Sequence, residues 1–253
     1  MSRPASPVQA IAAMTAMELR LVLRRPENLL ATIVIPTVVL GLFSSIAILP
    51  TGTTRSVDFL LPGSIALGII ATSFVSLSIT TAYDRSYGVL KRLGGSPLSR
   101  FELIVARLLT VLMVEAVQIG LLVAVAAALL GWTPGPAASP VVVAVAILVG
   151  TAAFVGLGLL IAGTLRAETV LAVANVLFLG FLVVGGVLVP IDQLPDPLAA
   201  ISAALPAAPL SELLRVGLGT AGTAGADVGG PLVLLGIWAV ATTALAARTF
   251  RWE

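Results

Sequence analysis

The sequence has no cysteine and no histidine, and Lys91 is its only lysine in 253 residues. Without cysteine there is no disulfide and no thiol nucleophile. Without histidine there is no imidazole base and none of the usual zinc ligand sets. A phosphate-cradling G-x-x-x-x-G-K-[ST] loop is excluded as well, because Val89-Leu90 precede the lone lysine. Charge is scarce, 10% of residues against 58% apolar, and the mean hydropathy is +1.12. That balance excludes a soluble domain and defines an integral membrane protein. No paired carboxylates lie within the apolar segments, so the common catalytic sets are missing.

What remains is a set of long apolar runs. Six segments, at 28–49, 59–82, 101–130, 140–163, 169–189 and 231–247, are each long enough to cross a bilayer as a helix, which needs about 20 residues. The expected fold class is an all-α integral membrane protein, a single domain over 1–253 with six transmembrane helices, preceded by an N-terminal amphipathic helix. The basic residues sort by position. Arg3, Arg20, Arg24, Arg25, Arg85, Lys91, Arg92, Arg100, Arg166, Arg248 and Arg251 fall on one side, Arg55 and Arg215 on the other, and Arg107 at the base of the third span. The positive-inside rule then predicts both termini cytoplasmic. Residues 1–27 carry charge up to the first apolar run and read as retained, not as a cleaved signal. Val8, Ile11, Ala12, Leu19, Val22 and Leu23 share one side of a helical wheel with Gln9, Arg20 and Arg24 opposite, as in a helix lying on the inner leaflet.

Few polar residues interrupt the spans. Ser73, Ser76 and Thr80 recur at helical spacing in the second, Glu115 and Gln118 share a face of the third, and Asn175 is the strongly polar residue of the fifth. Each admits two readings, helix packing or the lining of a pathway. Pro36 bends the first span, and Gly150, Gly156 and Gly158 in the fourth would admit a close neighbour. Between the fifth and sixth spans, prolines cut 190–230 into two short helices, near 198–205 and 210–218, expected to dip into the outer half of the membrane.

The densest charge lies in DRSYGVLKRLGGSPLSRFE, Asp84 to Glu102, within a loop at 83–100. Tyr87 to Leu93 can form about two helical turns that Gly94 and Gly95 stop. Ser96-Pro97 turns the chain. Ser99 and Glu102 form a capping box, with Leu98 and Leu103 at the staple positions, so the next helix begins at Arg100.

Gly88-Val89-Leu90-Lys91-Arg92-Leu93 followed by Ser96-Pro97-Leu98-Ser99-Arg100 resembles the cytoplasmic signature of ABC-2 type permeases of the daunorubicin-resistance kind. Ser86 and Val89 depart from the acid and threonine that many members carry. A second, looser pattern follows in Gly185-Gly186, Pro190, Leu194-Pro195, Leu205-Pro206 and Arg215. The resemblance implies a permease subunit of an ATP-driven exporter in a bacterial plasma membrane, moving a hydrophobic or amphipathic substrate such as a drug, lipid, polyketide or glycan. It implies a homodimer served by two copies of a separate ABC ATPase, which hold ATP and Mg, with no cofactor on this chain, lipids as neighbours and no nucleic acid. It makes the loop a coupling helix. Asp84, Arg85, Tyr87, Gly88, Leu90, Lys91, Arg92 and Leu93 are the expected ATPase-coupling residues. The alternative is a secondary transporter or channel working without an ATPase, a class usually marked by buried ionisable groups or matching broken helices.

Overall fold

Backbone groups in lipid must find their hydrogen bonds within the protein, and these apolar segments find them as helices. The computed structural model describes residues 6–24, 26–46, 55–95, 99–187, 190–220 and 222–249, and no strand occurs among them. The helices are α1 (Pro7–Leu23), α2 (Pro26–Ile46), α3 (Ser56–Ile69), α4 (Leu77–Ser86), α5 (Val89–Gly94), α6 (Arg100–Leu130), α7 (Pro140–Thr164), α8 (Ala167–Val184), α9 (Asp196–Ala204), α10 (Ala207–Leu218) and α11 (Gly229–Thr249). A seven-residue π-helical stretch, Ile70–Ser76, joins α3 to α4. The turn at Ser96-Pro97, the staple residue Leu98, residues 47–54 of the first span and outer loop, and Arg3, Arg25 and Arg251 lie outside the described residues.

Among the described residues, five helices are long and apolar enough to cross a membrane: the continuous rod Ser56–Ser86, α6, α7, α8 and α11. The pair α9 and α10, bent by 82° at its break, makes a sixth if taken as one span. α2 stands where the first span is expected, with Ile33–Ser44 as its apolar part. The fifth span ends at Val184, earlier than expected, because Gly185 caps it and Gly186 takes a φ of +67° that ends helical propagation.

The rod of α3 and α4 runs through the middle of the bundle. Phe74, in its π stretch, meets Phe154 of α7 and Phe181 of α8 with ring centroids at 6.4 and 5.8 Å, and those two rings meet each other at 5.4 Å. Tilted and edge-to-face contacts of this kind add about 0.5–1.5 kcal/mol each beyond burial. The three α7 glycines do what their spacing predicts. A Cβ on Gly150 would meet Leu210 of α10, one on Gly156 would lie 2.4 Å from the Thr242 hydroxyl of α11, and one on Gly158 would press on the Ser73 and Phe74 carbonyls. Close approach at small residues substitutes for the hydrophobic drive that lipid removes.

α1 packs along α6, but on a different face from the one its wheel suggests. Met14, Thr15 and Glu18 are buried, with Ile11, Leu19 and Val22 half-buried, while Val8, Ala12 and Leu23 are exposed. Ranking positions by hydrophobicity places Glu18 outside. The helix turns it inward because a cation waits there.

Candidate functional site

Gly88 separates α4 from α5. Its φ of +72° is the left-handed region that glycine adopts without penalty. A Cβ there would meet nothing within 4 Å in this chain, so what the position demands within the fold is conformational. The short helix that follows has two faces. Leu90 is fully buried and Leu93 half-buried, both against a cluster that includes Met14, Leu103, Ile104, Leu159 and Ala246. Leu90, expected at a partner contact, is instead the root of the helix: a side chain with no exposed surface cannot touch another subunit. The opposite face presents Val89, Lys91 and Arg92, with Tyr87 beside it 74% exposed. Tyr87 stacks on Tyr83 at 5.9 Å, which stiffens the approach to α5.

Two side chains of the predicted set brace this segment from below. Arg85 donates to the Leu165 carbonyl in the turn between α7 and α8. Asp84 accepts from Arg107 of α6 at 2.7 Å, and the same guanidinium pairs with Glu18 of α1 at 2.7 Å. Arg107 and Glu18 are 7% and 8% exposed at the side chain, Asp84 26%. One cation thus ties together three helices that meet beneath α5. Burial pushes the Glu18 carboxyl above the ordinary carboxylate range; Arg107 opposes that, Asp84 adds to it, and a hydrogen bond with Thr110 opposes it. At the start of α6 the predicted capping box is in place. Ser99 N–H donates to Glu102 at 2.6 Å and Glu102 N–H to the Ser99 hydroxyl at 3.2 Å, starting α6 at Arg100.

The polar residues of the spans separate into three settings. Ser76 and Thr80 of the rod and Asn175 of α8 line one groove of about 280 Å³, together with Ile35, Pro36 and Phe178. Ser73, expected on the same stripe, is fully buried and donates to the Ile69 carbonyl at 2.5 Å. The π stretch widens the turn and takes Ser73 out of phase with Ser76. Glu115 and Gln118 are buried away from the groove. Thr151 of α7 donates to Glu115 at 2.5 Å, and Thr72 donates to Gln118 at 3.2 Å. In these positions both hold helices to one another.

Sequence reasoning missed three residues. Glu18 and Arg107 are one pair, and their separation along the chain hides it. Arg215 of α10 is the third: its guanidinium lies 4.1 Å over the Phe59 ring and donates to the Gly186 carbonyl, fastening α10 to the end of α8. Its place in the looser sequence pattern that also holds Gly185-Gly186 was the available signal. Among the described residues no group of histidine, cysteine or acidic side chains is placed to hold a metal.

Apolar helices of bilayer length, holding one short basic helix in a fixed pose beyond the end of the spans, define an integral membrane protein of several spans. The chain belongs to the ABC-2 type transporter family, whose profile matches residues 9–218, from α1 to the end of α10. It is therefore a permease component of an ABC transporter, a class that generally works with an ABC ATPase. No curated protein matches the chain.

Proposed function

We propose that this protein is the membrane subunit of an ATP-driven exporter of the daunorubicin-resistance kind, a homodimer in a bacterial plasma membrane with both termini cytoplasmic. Two ATPase subunits bind ATP and Mg and dock on α5. The observation that carries this reading is the split character of α5, rooted through Leu90 in a core shared with α1, α6, α7 and α11 while Tyr87, Lys91 and Arg92 face outward. A push on the outer face is transmitted to the bundle because the inner face has nowhere to slide. The groove lined by Ser76, Thr80 and Asn175 supports a pathway along the rod and α8, with mild hydroxyl and amide polarity suited to a hydrophobic or amphipathic substrate such as a drug, lipid, polyketide or glycan.

The test is purification from the native membrane in mild detergent, with identification of stoichiometric partners and assay of vanadate-sensitive ATP hydrolysis. We expect a co-purifying ATPase. Arg92→Glu should lose it while membrane insertion is unchanged, because reversing one exposed charge alters docking and leaves the buried Leu90 face alone. A lone oligomer without ATPase, or an Arg92→Glu variant that keeps its partner and full activity, would overturn the coupling reading.

A further inference from the structure

Glu18, Asp84 and Arg107 come from three helices, α1, α4 and α6, and meet beside a cavity of about 140 Å³ between α1, the rod, α5 and α6. They are the only charged side chains that line it among the described residues. Each carboxyl lies 2.7 Å from the one guanidinium. Two carboxylates against one cation leave a surplus negative charge, in a place walled by Met14, Leu77, Val111 and Val114 where an unmatched charge is costly. Lys91 and Arg92 of α5 are exposed and do not line the cavity. One proton removes the surplus without disturbing the geometry, because a neutral carboxyl still accepts from a guanidinium through its carbonyl oxygen. Glu18 is the deeper acid, 8% exposed at the side chain against 26% for Asp84, so desolvation falls harder on it.

We propose that this joint is a binding site for a single proton, taken by Glu18, and that the proton latches α1 onto α6. The latched joint is an Arg107–Asp84 ion pair with a neutral Glu18 beside it. Loss of the proton restores the surplus charge, and α1 relieves it by carrying Glu18 out to water. Little else resists that movement, since the helix fully buries only Met14 and Thr15 besides Glu18. The proton reaches the joint from the rim of the cavity, where Met17 and Leu21 are exposed. Met14 belongs to the cluster that buries Leu90, so an α1 that leaves removes one wall of the socket in which α5 is rooted. The effect on how firmly α5 transmits a push rests on the coupling reading; the latch itself belongs to this chain alone.

Burial holds the Glu18 carboxyl above the ordinary carboxylate range, with Arg107 opposing, Asp84 adding and Thr110 opposing. Those three, from α4 and α6, are the groups that face it; α5 brings no charged group to the cavity, and the described side chains of α2, at 33–44, carry no charge. A docked helix therefore binds the proton more tightly than a free one. Docking is complete at low pH and is lost as pH rises through the titration of Glu18.

The chain has no cysteine, so a spin-label pair can be placed through Ala16→Cys on the exposed side of α1 and Thr169→Cys at the exposed start of α8. The distance between the labels is measured in the purified full chain in detergent from about pH 5 to 9, a range that spans a raised carboxyl. We expect one narrow distance at the acid end, giving way to a second, broad population as pH rises. The ratio of the two should change by up to about tenfold per pH unit, the limit for one proton. Glu18→Gln should keep the narrow distance throughout, because an amide cannot ionise. Asp84→Asn removes the surplus charge by another route and should hold the narrow distance to higher pH, which keeps the test valid if Glu18→Gln fails to fold. A distance that ignores pH in the labelled chain, or the same transition in both variants, would overturn the proposal. A titrating α1 in a chain without an ATPase partner supports the latch and overturns only the coupling reading; an ATPase bound to a chain whose α1 ignores pH overturns only the latch.

Discussion

Replacing Arg107 with alanine should release α1 from the bundle and cost about 3–5 kcal/mol of stability, the usual penalty for removing one partner from a buried ion pair. The loss is large because of what stays behind. Glu18 would remain buried at 8% side-chain exposure with Asp84 nearby and no cation between them. Arg107→Lys should fall between, since an ammonium is a compact point charge that cannot bridge two carboxylates as a planar fork can. The triple replacement Glu18→Gln, Asp84→Asn, Arg107→Met should recover most of the stability, because a neutral set has no desolvated charge to leave unmatched. Acid should rescue the single variant in part. A carboxyl whose folded pKa is raised takes up a proton more readily folded than unfolded, so its stability contribution is lost as pH rises through that pKa and regained as pH falls. Limited proteolysis between α1 and α2, followed against pH, reads all of this out. Unchanged protection of α1 in Arg107→Ala would show that apolar contacts alone hold it.

Gly63→Ala is the second large effect expected, and it arises at the other end of the rod. A Cβ on Gly63 would lie 2.2 Å from the Val187 carbonyl oxygen, a backbone atom that no rotamer change can move. The chain at Val187 is itself held from behind, since Arg215 and Ser211 of α10 bond to the Gly186 and Gly185 carbonyls. Neither surface can yield without moving α10 or tilting α3. Overpacking of this kind costs about 1–3 kcal/mol and more where the neighbour is rigid. Thermal unfolding in detergent should show a clear drop for Gly63→Ala and none for Gly120→Ala, whose Cβ meets nothing within 4 Å in the middle of α6. In a helix interior that second change should be neutral or stabilising by up to about 1 kcal/mol. Equal behaviour of the two variants would mean that α3 has slack at this crossing.

Signals confined to a few neighbouring residues are legible in the sequence alone. Ser99 and Glu102 announce the start of α6, Gly94 and Gly95 the end of α5, and the three α7 glycines the places where other elements come close, because each of these is a local matter of backbone conformation or side-chain size. Span positions follow from hydropathy alone. What failed to show was anything that depends on a partner far along the chain. A helical wheel of α1 treats Glu18 as a solvent residue, and nothing near it names Arg107 or Asp84 as the reason it turns inward. The resemblance sets Leu90 among the ATPase-coupling residues, yet its position on the short helix puts its side chain in the core. The Ser73, Ser76, Thr80 stripe assumed an unbroken 3.6-residue period, and the period is broken between its first and second members.

That break also sets an angle. An α-helix turns about 100° for each residue added or removed. The widened turns of Ile70–Ser76 therefore act as an index, fixing the azimuth of the half of the rod beyond them against the half before. Shortening the stretch by one residue would leave the rod a helix and leave every span in place, but would swing α4 by roughly that angle. Ser76 and Thr80 would face a different neighbour, Asp84 would swing away from Arg107, and α5 would point to another bearing on the circumference of the bundle. Where α5 stands depends on rotation about the rod as well as on height along it, and here a single stretch of backbone fixes that rotation.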